Sequence, residues 1–212
     1  MVETIEQKKP SFTKIPSSLI YEMYEGKPIY YKDYLDVLNN IKTFDQIVSC
    51  SILQSLLIEL IKNTITQQLD NSYIGLSNGL GILFEKYSWR AADIAFYKKK
   101  QIVQLDEREQ RQFAKFAPEL VIEIDIKADS DSLDSILDDI HKKTQQLLDF
   151  GVYQVVWIFT KSKKITLAQK QQPWMTYDWD ADLILMEDVQ LNVAKFLIVT
   201  ECCESKKAIE ST

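Results

Sequence analysis

The sequence predicts an α/β fold, a mixed β-sheet flanked by helices and closed by a strand–helix–strand crossover. Three observations carry this expectation. Residues 43–69 place apolar side chains at helical spacing, with neither glycine nor proline among them. From Ile122 to Lys127 apolar and charged residues alternate strictly, the period of a strand with two distinct faces. A second helical pattern over 133–150 then leads into the continuous apolar run from Val155 to Phe159, which suits a strand covered on both faces. A helix between two such strands is a crossover.

The elements follow in order. Residues 1–18 form a polar arm, broken by Pro10 and Pro16. Leu19 to Met23 and Lys27 to Tyr31, separated by Glu25-Gly26, read as a hairpin. The helix expected over 43–69 has Phe44, Ile47, Val48, Leu53, Leu56, Leu57, Leu60, Ile61 and Ile65 as its stripe. Asn71, Gly75 and Gly79 punctuate the chain. A short strand at 81–84, a turn at 85–88 and a strand at 90–97 form a second hairpin. Residues 98–115 are a charged surface connection, with a solvated helix over 106–115. Pro118 opens the strand at 120–127. Asp129 to Ser132 cap the helix at 133–150, whose stripe is Leu133, Ile136, Leu137, Ile140, Leu147 and Leu148, and Gly151 ends it. An exposed antiparallel neighbour at 163–169, a strand or turn from 182 to 186, and a helix at 189–196 complete one domain spanning 19–200. Residues 201–212 are a polar tail.

Composition narrows the function. The 212 residues carry a net charge of −6, so the chain lacks the basic balance of a general nucleic-acid coat protein. A local basic patch beside an acidic metal site remains compatible with it. There is a single histidine, His141. Histidine-rich zinc sites and HExxH peptidases are thereby excluded. His141 falls on the outer face of its helix with Asp134 and Asp138 and reads as a surface residue. No GxSxG, GxGxxG or GxxxxGK[ST] is present. The polar start and the lack of a long apolar run suggest no membrane partner. Cys50, Cys202 and Cys203, without framework spacing, suggest reduced thiols and a cytoplasmic setting. Chemistry is left to carboxylates and lysines.

The alternation puts Glu123, Asp125 and Lys127 on one face of a strand that a crossover should cover, about 7 Å apart at each step of two. Asp93 lies in an apolar strand, flanked by Ala92 and Ile94, with Ala91 and Ala95 beyond. Acids so placed suit a hard cation, since Mg²⁺ often needs only one or two protein carboxylates besides water and phosphate. Asp93, Glu123 and Asp125 are the candidate metal ligands, for Mg²⁺ or Mn²⁺. A lysine beside them could orient the attacking water.

An acid after small residues, followed about thirty residues later by a strand ending in acid-x-lysine, resembles the PD-(D/E)xK nuclease superfamily. The chain is similar, more closely, to the Uma-two family of restriction endonucleases. The likeness lies in Tyr21-Glu22-x-x-Glu25-Gly26, Arg90-x-x-Asp93-Ile94-Ala95-Phe96, Pro118 to Ile126, and Lys143 followed by Gly151-Val152 and Val156-Trp157. It implies a restriction-endonuclease-like fold, with Glu22, Asp93 and the Glu123/Asp125 pair as the acidic set. It implies DNA as partner, divalent-metal-dependent endonuclease activity, and an assembly for which a homodimer is open. The chain departs from the family pattern at Ala92, where many relatives have proline, at 127–130, where they have Ser-Pro-Ser, and at Asp45, where a histidine is frequent. Two lysines compete for the catalytic role. Lys127 completes the acid-x-lysine, and Lys143 lies beside the buried stripe of the crossover helix, where a lysine commonly snorkels. Glu22 is either a member of the site or a surface residue of the hairpin. A catalytically silent nuclease-like fold, acting as a binding or regulatory module, is the alternative function.

Overall fold

The computed structural model describes residues 15–129 and 133–196. Most of the expected arm, the segment 130–132 that should cap the crossover helix, the side chains of residues 133–135 (Leu133 and Asp134 among them), Cys202-Cys203 and the tail from 201 lie outside this description.

The chain opens with the expected hairpin. β1 (Ile20–Tyr24) and β2 (Lys27–Tyr30) pair antiparallel. Glu25 and Gly26 between them both have positive φ, at 47° and 78°, as a tight two-residue turn requires. Helices α1 (Tyr34–Leu38), α2 (Phe44–Val48) and α3 (Ile52–Gln68) follow. The single helix expected over 43–69 is therefore two. The Ser51 hydroxyl accepts the Gln54 N–H at 3.1 Å and caps α3. A serine that can bond the backbone ahead of it favours a fresh start over propagation. The buried stripe shifts accordingly to Gln54, Leu57, Ile61 and Ile65, while Leu53 is 38% exposed and Phe44 39%. Leu56 and Leu60 are half-buried.

β3 (Tyr73–Glu85) and β4 (Ser88–Lys98) form a hairpin longer than expected, because β3 runs straight through Gly75 and Gly79. Gly75 lies under a ring: a Cβ there would stand 2.7 Å from Phe96. Asn78 (φ 79°) and Gly79 (φ 69°) form a bulge that slips the register between Ser77 and Leu80. After the short helix α4 (Lys99–Val103), the helix expected over 106–115 reduces to one turn at Glu109–Arg111. Phe113 packs on Trp89 and Phe116 on Tyr97. Between them Ala114 bridges to Ile82 and exchanges hydrogen bonds with Gly81 and Leu83. Aromatic anchoring thus holds extended a stretch whose charges suggested a helix.

β5 (Leu120–Ile124), the crossover helix α5 (Leu133–Phe150) and β6 (Gln154–Phe159) form the expected unit, with β5 and β6 parallel. On α5 the inward residues are Ile140, Lys143, Thr144, Leu147 and Leu148, whereas Leu137 is exposed and His141 lies outside. β7 (Lys164–Gln169) pairs antiparallel with β6 and is followed by an unforeseen edge strand, β8 (Met175–Asp178). The helix expected over 189–196 is replaced at its start by β10 (Gln190–Leu191), which pairs with β9 (Leu183–Ile184). Leu183, Leu185, Val189 and Leu191 join the core beside α3.

The main sheet runs β2-β1-β4-β5-β6-β7-β8, with β3 also on β4. One face buries Ile94, Phe96, Ile122 and Val156 against Leu57, Ile61 and Ile65 of α3. The other buries Val121, Val155 and Trp157 against Ile140, Leu147 and Leu148 of α5. The result is a mixed, mostly antiparallel sheet between helices. Among the described residues, no helix is long and apolar enough to cross a membrane.

Candidate active site

The site arises where strand pairing lapses. β3 occupies the whole of one edge of β4. The other edge is shared: β1 reaches it at Trp89, and β5 takes over at Ile94. Between these points the backbone of β4 has no strand partner on that side, and buried side chains fill the role. Glu22 of β1 accepts the Ala91 N–H at 3.0 Å. Lys143 of α5 donates to the Ala91 carbonyl at 2.8 Å. Asp93 reaches across and accepts the Ile124 N–H of β5 at 2.9 Å. The acids are fixed by the same bonds that hold the sheet together across the gap.

Around this gap lie three carboxylates and three cations. Glu22, Arg90, Asp93, Glu123 and Lys143 are buried, and the Lys127 side chain is 23% exposed. Arg90 pairs with Glu22 at 2.9 Å, donates to Gln146 at 2.8 Å, and stacks over Tyr24. Lys143 touches Glu22 at 2.7 Å and Glu123 at 3.0 Å. Lys127 touches Asp93 at 2.6 Å. Gln54, from the first turn of α3, donates to the Ile124 carbonyl at 2.9 Å and lies 3.5 Å from Asp93.

The reading of Lys143 as a snorkelling flank residue is overturned. Its ammonium is enclosed: it donates to Glu22 and to the Ala91 carbonyl and lies 3.0 Å from Glu123. Glu22 is likewise no surface residue of the hairpin. Burial would lower the Lys143 pKa, but Glu123 and Glu22 outweigh it and hold the amine charged. Lys127 behaves the same way: burial lowers its pKa, Asp93 more than restores it, and the net direction is upward. Glu123 goes the other way. Burial pushes its carboxyl up to about 8, against the pull of Lys143 and with further push from Asp93 and Glu22. The lysine it faces is shared with Glu22, and its own Oε1 has no hydrogen-bond partner.

Asp125 is placed differently from the alternation. β5 ends at Ile124, and Asp125 turns into the left-handed region at φ 58°. Its carboxylate accepts the Thr160 N–H at 2.8 Å and the Thr160 hydroxyl at 2.6 Å. It clamps the end of β5 to the end of β6. Asp125 still borders the small cavity that also touches Glu123 and Lys143, but both its oxygens are engaged elsewhere. Strand alternation also breaks around Asp93, opposite the bulge in β3: Ala92 packs with the α5 side and Ile94 with the α3 side. Gln54 and Arg90 belong to the site and were not foreseen as members. Gln54 had one visible signal, a polar residue at a position where the period of α3 demands an apolar one.

A divalent cation can be tested against these residues. Among the described residues, no three acidic, histidine or cysteine side chains are grouped to hold a metal. Asp93 and Glu123 remain, two carboxylates whose charges feel each other; Asp93 borders the open cleft with Lys127 on its Oδ1, and the Glu123 Oε1 faces the Lys143 ammonium at 3.0 Å without a hydrogen bond. That set fits a hard cation of the Mg²⁺ type, which keeps water and phosphate among its ligands. Beside it, a cleft of about 410 Å³ is lined by Asp93 and Lys127 and leads outward past Cys50, Tyr31 and Trp89.

No family model matches the chain, and no curated protein matches it. Among solved structures, it is similar to a chain from Anabaena variabilis ATCC 29413 described as a "putative nuclease belonging to DUF820". The TM-score is 0.61 at 16% identity, over 82% of this chain and 88% of that one. At this identity the likeness shows the fold alone: both chains share a mixed α/β architecture, a mostly antiparallel sheet flanked by helices.

Proposed function

We propose that the protein is a divalent-metal-dependent phosphodiesterase acting on DNA, with its centre at Asp93 and Glu123. The observation that carries this reading is the pair of buried carboxylates at the gap in β4's shared edge, each facing a lysine, Asp93 on the open cleft and Glu123 on the small cavity next to it, with Lys127 lining both. The likeness to a nuclease-like fold supports it.

Asp93 and Glu123 would hold Mg²⁺ or Mn²⁺. When bound, such an ion polarises a phosphoryl oxygen and makes its water a better nucleophile. The Ile124 N–H and Gln54 fix the orientation of Asp93. Lys143 compensates Glu123 and Glu22 from within the core. Lys127 stands at the cleft, bound to Asp93 and partly exposed, so it can release one donor to a phosphate oxygen or an attacking water. Both lysines are held charged, so their part is to stabilise negative charge as it develops. Asp125 keeps the ends of β5 and β6 in register and so places Glu123.

Calorimetric titration with Mn²⁺ and incubation with circular DNA, single-stranded and double-stranded in parallel, test the reading together. The native protein should bind one Mn²⁺ per chain and cut at least one of the two DNAs, and Asp93→Asn should lose both activities. Binding that survives in Asp93→Asn would sink the assignment of the site.

A second reading has its own observation. The buried groups partner one another without any metal, Glu22 with Arg90 and Lys143, Asp93 with Lys127, and Glu123 beside Lys143. A silent nuclease-like module would keep such a network as a structural device. Absence of Mn²⁺ binding by the native protein would favour it.

A further inference from the structure

The walls of the cleft beside Asp93 differ in character from its floor. Tyr21, Tyr31 and Trp89 line it together with the apolar side chains of Val48 and Ile58. Tyr31 leans on Tyr21 at 5.1 Å between ring centroids and meets Phe44 edge-on at 6.4 Å. Trp89 is backed by Phe113 at 5.1 Å. Tyr31 and Trp89 are half-buried, so both rings are held by neighbours and still border open space. Ser77 and Asn78, at the bulge in β3, add polar groups to the same lining.

Positive charge is scarce there. Lys127 is the one cation among the residues lining the cleft, and its ammonium already lies 2.6 Å from Asp93. The whole chain carries a net charge of −6. A protein that grips duplex DNA neutralises several phosphates with Lys and Arg. Proteins that bind single strands can draw instead on base stacking against aromatic rings. A cleft of about 410 Å³ is of the size that takes a small ligand, so it can enclose one nucleotide but not a helix.

We propose that this cleft receives an unpaired deoxynucleotide, its base against Tyr31 and Trp89 and its phosphate toward Asp93 and Lys127, so that the substrate is single-stranded DNA and not intact duplex. This rests on the nuclease reading and narrows it. Tyr31 and Trp89 select the unpaired form, because a base still stacked in a duplex cannot offer its face to a side chain. The polar groups of Ser77 and Asn78 are placed to meet base edges.

The test has a binding arm and a cutting arm. Fluorescence anisotropy with Ca²⁺ present compares a labelled 12-nucleotide single strand with the same strand in duplex. Mn²⁺ then replaces Ca²⁺, and cleavage of both is followed on gels. The expected result is tighter binding and faster cutting of the single strand. Tyr31→Leu should weaken single-strand binding by roughly 10-fold, within the range for losing one base stack. Tyr31→Phe should retain it, and matching melting curves would show that both variants fold. Duplex bound and cut as well as or better than single strand would overturn the inference while leaving the nuclease reading intact. If neither form is bound or cut, both fall. Single-strand binding undiminished in a folded Tyr31→Leu would overturn the stacking role.

Discussion

Glu123 carries the most strained charge among the acids of the site. Its carboxyl is pushed up to about 8 by burial first, with Asp93 and Glu22 adding to the push. The folded protein therefore keeps a proton that the unfolded chain releases near the ordinary glutamate value, and stability falls as pH rises from about 4.5 to about 8. Urea midpoints at pH 5 and pH 8 should show this loss, on the order of a few kcal/mol. Glu123→Gln should flatten the profile; an unchanged slope in that variant would assign the effect elsewhere. Mn²⁺ affinity should run the opposite way and rise toward pH 8, because the metal must displace that proton. The lysines separate by a different measurement. Lys127→Ala should cut DNA roughly 100-fold more slowly, as for removal of one positioned catalytic group, with little change in melting. Lys143→Ala leaves Glu22 and Glu123 buried beside an empty space and should cost about 3–5 kcal/mol. A stable, inactive Lys143→Met beside an active Lys127→Ala would transfer the catalytic role to α5. Much of this was legible, since acids and lysines set among apolar neighbours announce themselves. Asp125 was misplaced because strand alternation assumes extended backbone and cannot register a φ of 58°. Arg90 was passed over because a charge on a strand is ordinarily read as exposed, and only the gap in pairing gives it Glu22 and Gln146 as partners.

At the scale of elements, α3 matters because its first turn carries Gln54. The Ser51 cap fixes that turn. Ser51→Ala should cost about 1 kcal/mol, within the range of about 0.5–2 for lost caps. It should also loosen Gln54 from Ile124, which hydrogen exchange at the end of β5 can follow. Loss of stability without faster exchange there would show that the cap and Gln54 are uncoupled. The existence of this helix was readable from its period. Its break at 49–51 was not, because Ser49, Cys50 and Ser51 include neither glycine nor proline. The charged connection failed for the opposite reason: Phe113 and Phe116 act through rings on other strands, and such contacts leave no trace in local spacing. β8 is short and mostly exposed, so it offers no apolar alternation.

At the scale of the molecule, the crossover and the two helical layers followed from periodicity, but the sharing of β4's edge did not. Strands distant in the chain meet there, and pairing between them is decided by the assembled core. If the centre binds metal only in the folded state, Mn²⁺ at about 100 times its dissociation constant should add about 2.7 kcal/mol. For a chain of this size that raises the melting temperature by roughly 5–10 °C. Asp93→Asn should show no such rise, and an equal rise in that variant would place the bound ion at another site. The paired interior charges have a further consequence, for descent. Any single change among Glu22, Arg90 and their partners strands a charge in the core, whereas a paired change does not. Lineages leading from this chain should therefore abandon Glu22 and Arg90 together or keep both. The double variant Glu22→Gln/Arg90→Met should prove more stable than the sum of its single variants predicts, and the network should pass between generations as a single heritable unit.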